Sequence, residues 1–202
     1  MKKKIICPLC KSSQFQKISD NVRYNTGQKV FKCIKCEIIF NTPFVDTNFY
    51  KSDFRKMYET IPSPKYIYNN SIDEANNRFN RFKNLIKNQS TILEIGCSCG
   101  NFLELFQQKN TKVIGIEPSI ENRKFLRKIG ISAFPDIADI KDSIKFDLIF
   151  MFHVLEHIEE PIEYLYNLKK YMHKNSKLII EVPNVDDILI KFYKINEFFN
   201  FY

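Results

Sequence analysis

TILEIGCSCGNFLELF, residues 91–106, reads as a strand that ends in a tight loop and runs directly into a helix. Ile92, Leu93 and Ile95 make a short apolar run of the kind a strand shows when both its faces are covered. Gly96 and Gly100 then let the backbone turn sharply and come close to a ligand. Working outward, KVIGIE (112–117) is a second such strand, with helices at 101–109 and roughly 119–129 on either side of it. A short strand at 131–134, KFDLIFM with its strand at 146–151, a helix entered at Pro161 and KLIIEV (177–182) continue the alternation. Apolar strands alternating with amphipathic helices predict a doubly wound parallel α/β sheet.

In such a sheet, ligands bind at the carboxyl ends of the strands. Glu117 ends the second strand about 20 residues after the glycine loop begins, where a carboxylate can accept hydrogen bonds from both ribose hydroxyls of an adenosine moiety. A dinucleotide loop needs a middle glycine for close approach of the pyrophosphate. Ser98 stands there instead, and it fits the turn if its φ is negative. Glu94, two residues before the first glycine, suits a neighbouring sulfonium and amino group. Loop and acids together favour S-adenosylmethionine over NAD.

The sequence has 202 residues, 44% hydrophobic and 27% charged, with 5 Gly and 8 Pro, which excludes disordered and collagen-like classes. Charge is uneven. Residues 1–60 carry 12 Lys/Arg against 5 Asp/Glu, so nearly all of the net +8 belongs to the N-terminal part. Cys7 and Cys10 form one C-x-x-C and Cys33 and Cys36 another, a spacing suited to one Zn²⁺ held by four thiolates. The expected organisation is a zinc ribbon over 1–45, an aromatic connector and helix over 46–88, and a cofactor-binding domain over 89–202. Ser71 and Glu74 have the spacing of a capping box, opening a helix with apolar positions at Ile72, Ala75, Phe79, Phe82 and Ile86. Cys97 and Cys99 read as small residues filling the loop, and Asp147 as a structural residue at a strand entry. No secretory h-region follows MKKKII and no stretch of about 18 apolar residues occurs, so a cytoplasmic protein with no membrane partner is expected.

LEIGCSCGNFLELF, VIGIEPS, FDLIFMFHVLEHIEEPIEYL and LIIEVPN resemble the successive motifs of class I S-adenosylmethionine-dependent methyltransferases. With CPLC and FKCIKCEIIF in front, the likeness is to a bacterial branch with an N-terminal zinc ribbon that includes sugar C-methyltransferases. The resemblance implies that Glu94, Gly96, Cys97, Ser98 and Gly100 line the methionine and ribose side of the cofactor. Glu117 would hold the ribose, Pro118 and Ser119 would lie beside the adenine, Asp136 or Asp139 would reach its amine, and Phe152 and His153 would flank the cofactor. His157 would act as general base or orient the acceptor. The H-x-x-E-H of residues 153–157 is not read as a zinc-peptidase motif, because His153 falls at a strand end.

The implied acceptor is a small polar molecule such as a nucleotide-linked sugar. The less favoured alternatives are an RNA methyltransferase using the basic ribbon and a non-catalytic cofactor-binding fragment. KNS (174–176) stands where the family often has a turn. The family's sheet has seven strands and five are readable here, so the domain is expected to be incomplete at its C-terminus, with an open edge covered by a partner or by self-association.

Overall fold

The computed structural model describes residues 5–20, 28–42, 62–107 and 111–184. Gly27 and Pro43, the connector's Tyr50, Phe54 and Tyr58, the end of the expected 101–109 helix and the tail after Asn184 lie outside the described residues. Two compact units divide the chain: residues 1–46 with 156–166 and 182–202, and residues 47–155 with 167–181. Among the described residues no helix is long and apolar enough to cross a membrane.

The first unit contains a three-stranded antiparallel sheet in the order β1 (Phe15–Ser19), β2 (Lys29–Cys33), β3 (Ile39–Thr42). The T-shaped pair Phe15–Phe31, with centroids 5.0 Å apart, and the neighbouring Phe40 form its small apolar core with Cys7 and Cys33.

The second unit is built on five parallel strands: β4 (Thr91–Ile95), β5 (Lys112–Ile116), β6 (Ser132–Phe134), β7 (Phe146–Phe152) and β8 (Met172–Glu181). Their order, β6-β5-β4-β7-β8, reverses direction between β4 and β7, which makes the carboxyl end of β4 the switch point where ligands bind. β4, buried from Ile92 to Ile95, is central. Asp147 ties the strand entries together, accepting from the Thr91 N–H at 2.8 Å and pairing with His173 at 2.9 Å.

Among the described residues the α-helices are α1 (Pro64–Asn70), α2 (Ile72–Phe82), α3 (Asn101–Gln107), α4 (Ile120–Lys128) and α5 (Pro161–Leu168), with short 3₁₀ turns between elements. Pro161 opens α5, as its fixed φ favours. Phe79 and Phe82 of α2 pack edge-on or tilted against Phe106 of α3 and Phe150 of β7, with centroids 5.0 and 5.6 Å apart. Phe102 joins them, so a cluster of phenylalanines fills this layer.

Three expectations are corrected. The capping box does not form: the Ser71 hydroxyl donates back to the Ile67 carbonyl of α1, and Glu74 pairs with Arg78. Ile72 is exposed, because α2 turns its Ala75–Phe79–Phe82 stripe inward instead. β8 begins at Met172 rather than 177, and the KNS segment is a bulge inside the strand. There the register jumps from Phe146↔Met172 to Leu148↔Lys177, and Ser176 accepts from the His173 N–H at 2.7 Å.

Candidate cofactor pocket and cysteine cluster

The β4 loop is pinned at its base. The N–H groups of Gly96 and Cys97 both donate to the Ile116 carbonyl, at 2.8 and 3.1 Å, and Gly100 donates to Cys97 at 2.8 Å. Gly96, Ser98 and Gly100 have φ of +75°, +48° and +83°. The condition on which Ser98 is expected to fit the turn, a negative φ, is therefore not met. The loop's curvature demands a left-handed residue there, at a cost of about 1–2 kcal/mol for a side chain with a Cβ.

Cys97 and Cys99 are both buried, and each fills space. A Cβ on Gly115 would meet the Cys97 sulfur at 2.4 Å, and the Cys99 thiol donates to Asn122 Oδ1 at 3.7 Å. Among the described residues neither belongs to a cluster able to hold a metal.

Two buried carboxylates face this loop. Glu94 is 5% exposed, and its Oε2 has no hydrogen-bond partner. Burial pushes its pKa up to about 8; Arg78 opposes the shift and Glu117 adds to it. Glu117, buried at the end of β5, accepts from the Ser119 N–H at 2.8 Å. Burial raises its pKa to about 7 against the hydrogen bonds from Ser119, Ser98 and Asn122. Folding thus favours the neutral form of both groups. A carboxyl whose folded pKa exceeds its unfolded value stabilises the fold fully below the unfolded value and loses that contribution as pH rises through the folded one. The ligand-free protein should therefore lose stability as pH climbs from about 4.5 to about 8. Thermal melts across this window should show the decline, and Glu94→Gln should flatten it; equal slopes in both proteins would refute this account.

Pro118 and Ser119 sit where the β5 loop enters α4. The Pro118 carbonyl accepts from Arg123 at 2.6 Å, and Ser119 caps the helix, its hydroxyl accepting from Asn122 at 3.4 Å. Asp136 and Asp139 cap one exposed 3₁₀ turn, each accepting from a backbone N–H of that turn. Phe152, at the end of β7, is buried beneath the Arg78 guanidinium, which lies 4.4 Å from its ring centroid.

His153 follows with φ +54°. Its N–H donates to the Glu181 carbonyl at 2.9 Å, and its Nε2 lies 3.3 Å from Glu181 Oε1. Glu181 ends β8 and accepts from Arg78 Nη2 at 2.7 Å. Burial works to raise the Glu181 pKa, but Arg78, Arg81 and His153 outweigh it and the net shift is downward. Glu74, His153 and Glu181 lie close enough together to ligate a cation. Arg78 already bonds both carboxylates, however, so the group is an ion-pair cluster.

The structure therefore brings Glu94, the glycine loop and Glu117 together at the switch point, with Phe152 and His153 at the end of the next strand. His157 lies exposed in a 3₁₀ turn, Leu155–His157, and is assigned to the other compact unit. Sequence reasoning missed Arg78 and Glu181, which are 103 residues apart and share no local pattern. It also missed Tyr68, whose hydroxyl donates to Glu104 and whose carbonyl accepts from Asn101 at 2.6 Å. That pair links α1 to the start of α3.

In the first unit the four cysteines converge. Cys7 and Cys36 sulfurs are 3.6 Å apart, Cys10 and Cys33 sulfurs 3.5 Å, and all four lie within 4.8 Å of one another. Disulfide sulfurs stand about 2.05 Å apart, whereas a tetrahedron with Zn–S of about 2.3 Å has edges near 3.8 Å. The donor set and spacing thus fit Zn²⁺. Lys11 and Glu37, each following the second cysteine of its pair, both adopt left-handed φ, +57° and +63°. Their N–H groups donate to the carbonyls of Cys7 and Cys33, each at 3.0 Å. The two knuckles are therefore built alike.

Comparison with known proteins places the second unit. A family model described as a methyltransferase domain matches residues 68–200. The tRNA U34 carboxymethyltransferase of Campylobacter jejuni subsp. jejuni serotype O:2 is 29% identical over 108 residues, covering 49% of this chain and 37% of that protein. The tRNA U34 carboxymethyltransferase of Shewanella frigidimarina is 27% identical over 128 residues, covering 54% and 37%. The chain thus spans little more than a third of the length of these curated relatives. The plantazolicin methyltransferase BpumL, solved with a monoazolic desmethylPZN analog and SAH, shares the fold with a TM-score of 0.51 at 24% identity, over 75% of this chain and 66% of that one. With a parallel sheet in this strand order and a family match over most of its length, the chain belongs to the methyltransferase-domain family and has the fold of the class I S-adenosylmethionine-dependent methyltransferases.

Proposed function

We propose that this chain binds S-adenosylmethionine between the β4 loop and the end of β5 and supports transfer of its methyl group to an RNA acceptor. The observation that carries the cofactor reading is Glu94 Oε2, a buried carboxyl oxygen without a partner at the switch point of the sheet. Such an atom costs free energy unless a ligand satisfies it, and a ligand ammonium group would do so. Glu117 would accept from the ribose hydroxyls, and Gly96 and Gly100 would let the loop backbone approach the ligand. When bound, the cofactor supplies an electrophilic methyl group on a sulfonium. The residues contribute chiefly by positioning and by excluding water. His157 carries over from the sequence as the candidate acceptor-side base.

The RNA acceptor is supported by relatives that act on tRNA by name. The sugar acceptor implied by the sequence resemblance is the competing outcome. The ribbon enters as a structural zinc module.

Titration calorimetry with S-adenosylmethionine and S-adenosylhomocysteine tests the cofactor half. Glu117→Ala should weaken binding at least about tenfold, the loss of hydrogen bonds worth about 1.5–3 kcal/mol at a charged group. No binding at millimolar ligand would sink it. Incubation with labelled cofactor and either bulk tRNA or a mixture of nucleotide sugars tests the acceptor half. Label in RNA supports the proposal, and label in the sugar alone overturns that half.

A further inference from the structure

We infer that the groove between α1 and α4 is a binding surface for the phosphodiester backbone of single-stranded RNA. This rests on the RNA reading above and deepens it by naming where that acceptor is gripped. The groove, of about 500 Å³, gathers Lys65 from α1 with Lys124, Arg127 and Lys128 from α4, around the half-buried ring of Phe125. Among the described residues Glu121 is the one acidic residue of its lining, and it pairs with Lys124 at 2.7 Å. Lys65, Arg127 and Lys128, all exposed, have no carboxylate within ion-pair reach among the described residues, so three positive charges line the groove beside the Glu121–Lys124 pair.

Cations near a helix C-terminus complement its dipole, and that accounts for Arg127 and Lys128. It does not account for Lys65, which comes from another helix, nor for the concave shape between the two. The floor is equally specific. Phe125 is fixed against Tyr68, with ring centroids 5.5 Å apart, so one aromatic ring is held in place among the cations. Cations that track a backbone, interleaved with aromatic faces on which bases stack, are the working parts of single-strand nucleic-acid surfaces.

The placement also serves the proposed reaction. α4 is the helix capped by Ser119, whose N–H donates to Glu117. Arg127 is eight residues further on, about 12 Å along the axis. RNA held by its phosphates in the groove therefore leaves a nucleotide within a short stretch of strand from the carboxylates that would hold the cofactor.

Fluorescence anisotropy with a short labelled single-stranded RNA and the full chain tests this. Each lost phosphate contact lowers the log–log salt slope by about 0.7 for single strands. The triple variant Lys65→Gln/Arg127→Gln/Lys128→Gln should therefore lower the slope by about 2 and weaken binding about a hundredfold at about 0.1 M salt. Affinity for S-adenosylhomocysteine should not change, which shows that the variant is folded. A matched variant in the other unit, Lys17→Gln/Lys32→Gln/Lys35→Gln, controls for net charge. If that variant loses RNA binding and the groove variant does not, the groove assignment falls while the RNA reading stands. If the unmodified protein fails to bind RNA even at low salt, the RNA reading itself falls.

Discussion

Exhaustive chelation, or the single substitution Cys33→Ser, should unfold the ribbon while the parallel-sheet unit keeps its own melting transition. The metal-loaded protein should contain about one zinc per chain. The reason is size. The core of the three-stranded sheet amounts to Cys7, Phe31, Cys33 and Phe40 with a few half-buried neighbours. Modules of about 40 residues or fewer rarely fold on such a core without a metal or disulfides. Four thiolates on Zn²⁺ contribute about 10–16 kcal/mol in small zinc modules, and because the site is absent from the unfolded chain this binding energy is folding energy. Amide hydrogen exchange reads the outcome strand by strand. Protection in β1–β3 that survives complete metal removal would show that the cysteines close the module by packing alone.

Gly100→Ala should be the most damaging small substitution in the methyltransferase unit, at about 2–5 kcal/mol. A Cβ at this position would stand 2.4 Å from Leu126 Cδ2 and 2.9 Å from Ile131 Cδ1, and both side chains are almost wholly buried. Overpacking a closed core costs about 1–3 kcal/mol, and the left-handed φ of +83° adds about 1–2 kcal/mol for any residue with a Cβ. For a unit of this size, between the small-domain and large-domain ranges, each kcal/mol lowers Tm by roughly 3–5 °C, so a fall of about 10–15 °C is expected. Gly130→Ala separates the two causes. That residue has a similar φ of +80°, but nothing lies within 4 Å of its added Cβ. It should cost only the backbone part, and an equal fall in both variants would remove the steric argument.

The cofactor end of the sheet was legible because its signals are local. Strands β4, β5 and β7 are short and predominantly apolar, the glycine loop lies within ten residues, and each knuckle is a contiguous C-x-x-C. What stayed hidden depends on partners distant in sequence. Arg78 belongs to the site because Glu181 and Phe152 meet it there, and α2 by itself shows only the Glu74–Arg78 spacing. Helix α1 buries no residue and so has no apolar stripe to reveal it. The Ser71 capping signal failed because α1 ends where α2 begins, so the hydroxyl found a carbonyl behind it before an N–H ahead. The start of β8 was obscured by a bulge whose polar residues look like a turn. Ser98 was misjudged because the curvature of its loop is set by the glycines on either side and by the shared Ile116 carbonyl, which the residue type does not encode.

The contact between Cys97 and Gly115 ties together two positions that no motif connects. The thiol occupies the space where a side chain on β5 would stand. Descendants of this sequence can therefore enlarge residue 115 only in step with a reduction at residue 97, because a change at either one alone meets a clash or opens a void. Across diverging relatives the two should drift as a volume-conserving couple: a small residue in the loop with a larger one on the strand, or the reverse. The variability of the loop's second position, residue 97, would then be a record of what the neighbouring strand carries, independent of any selection by the ligand.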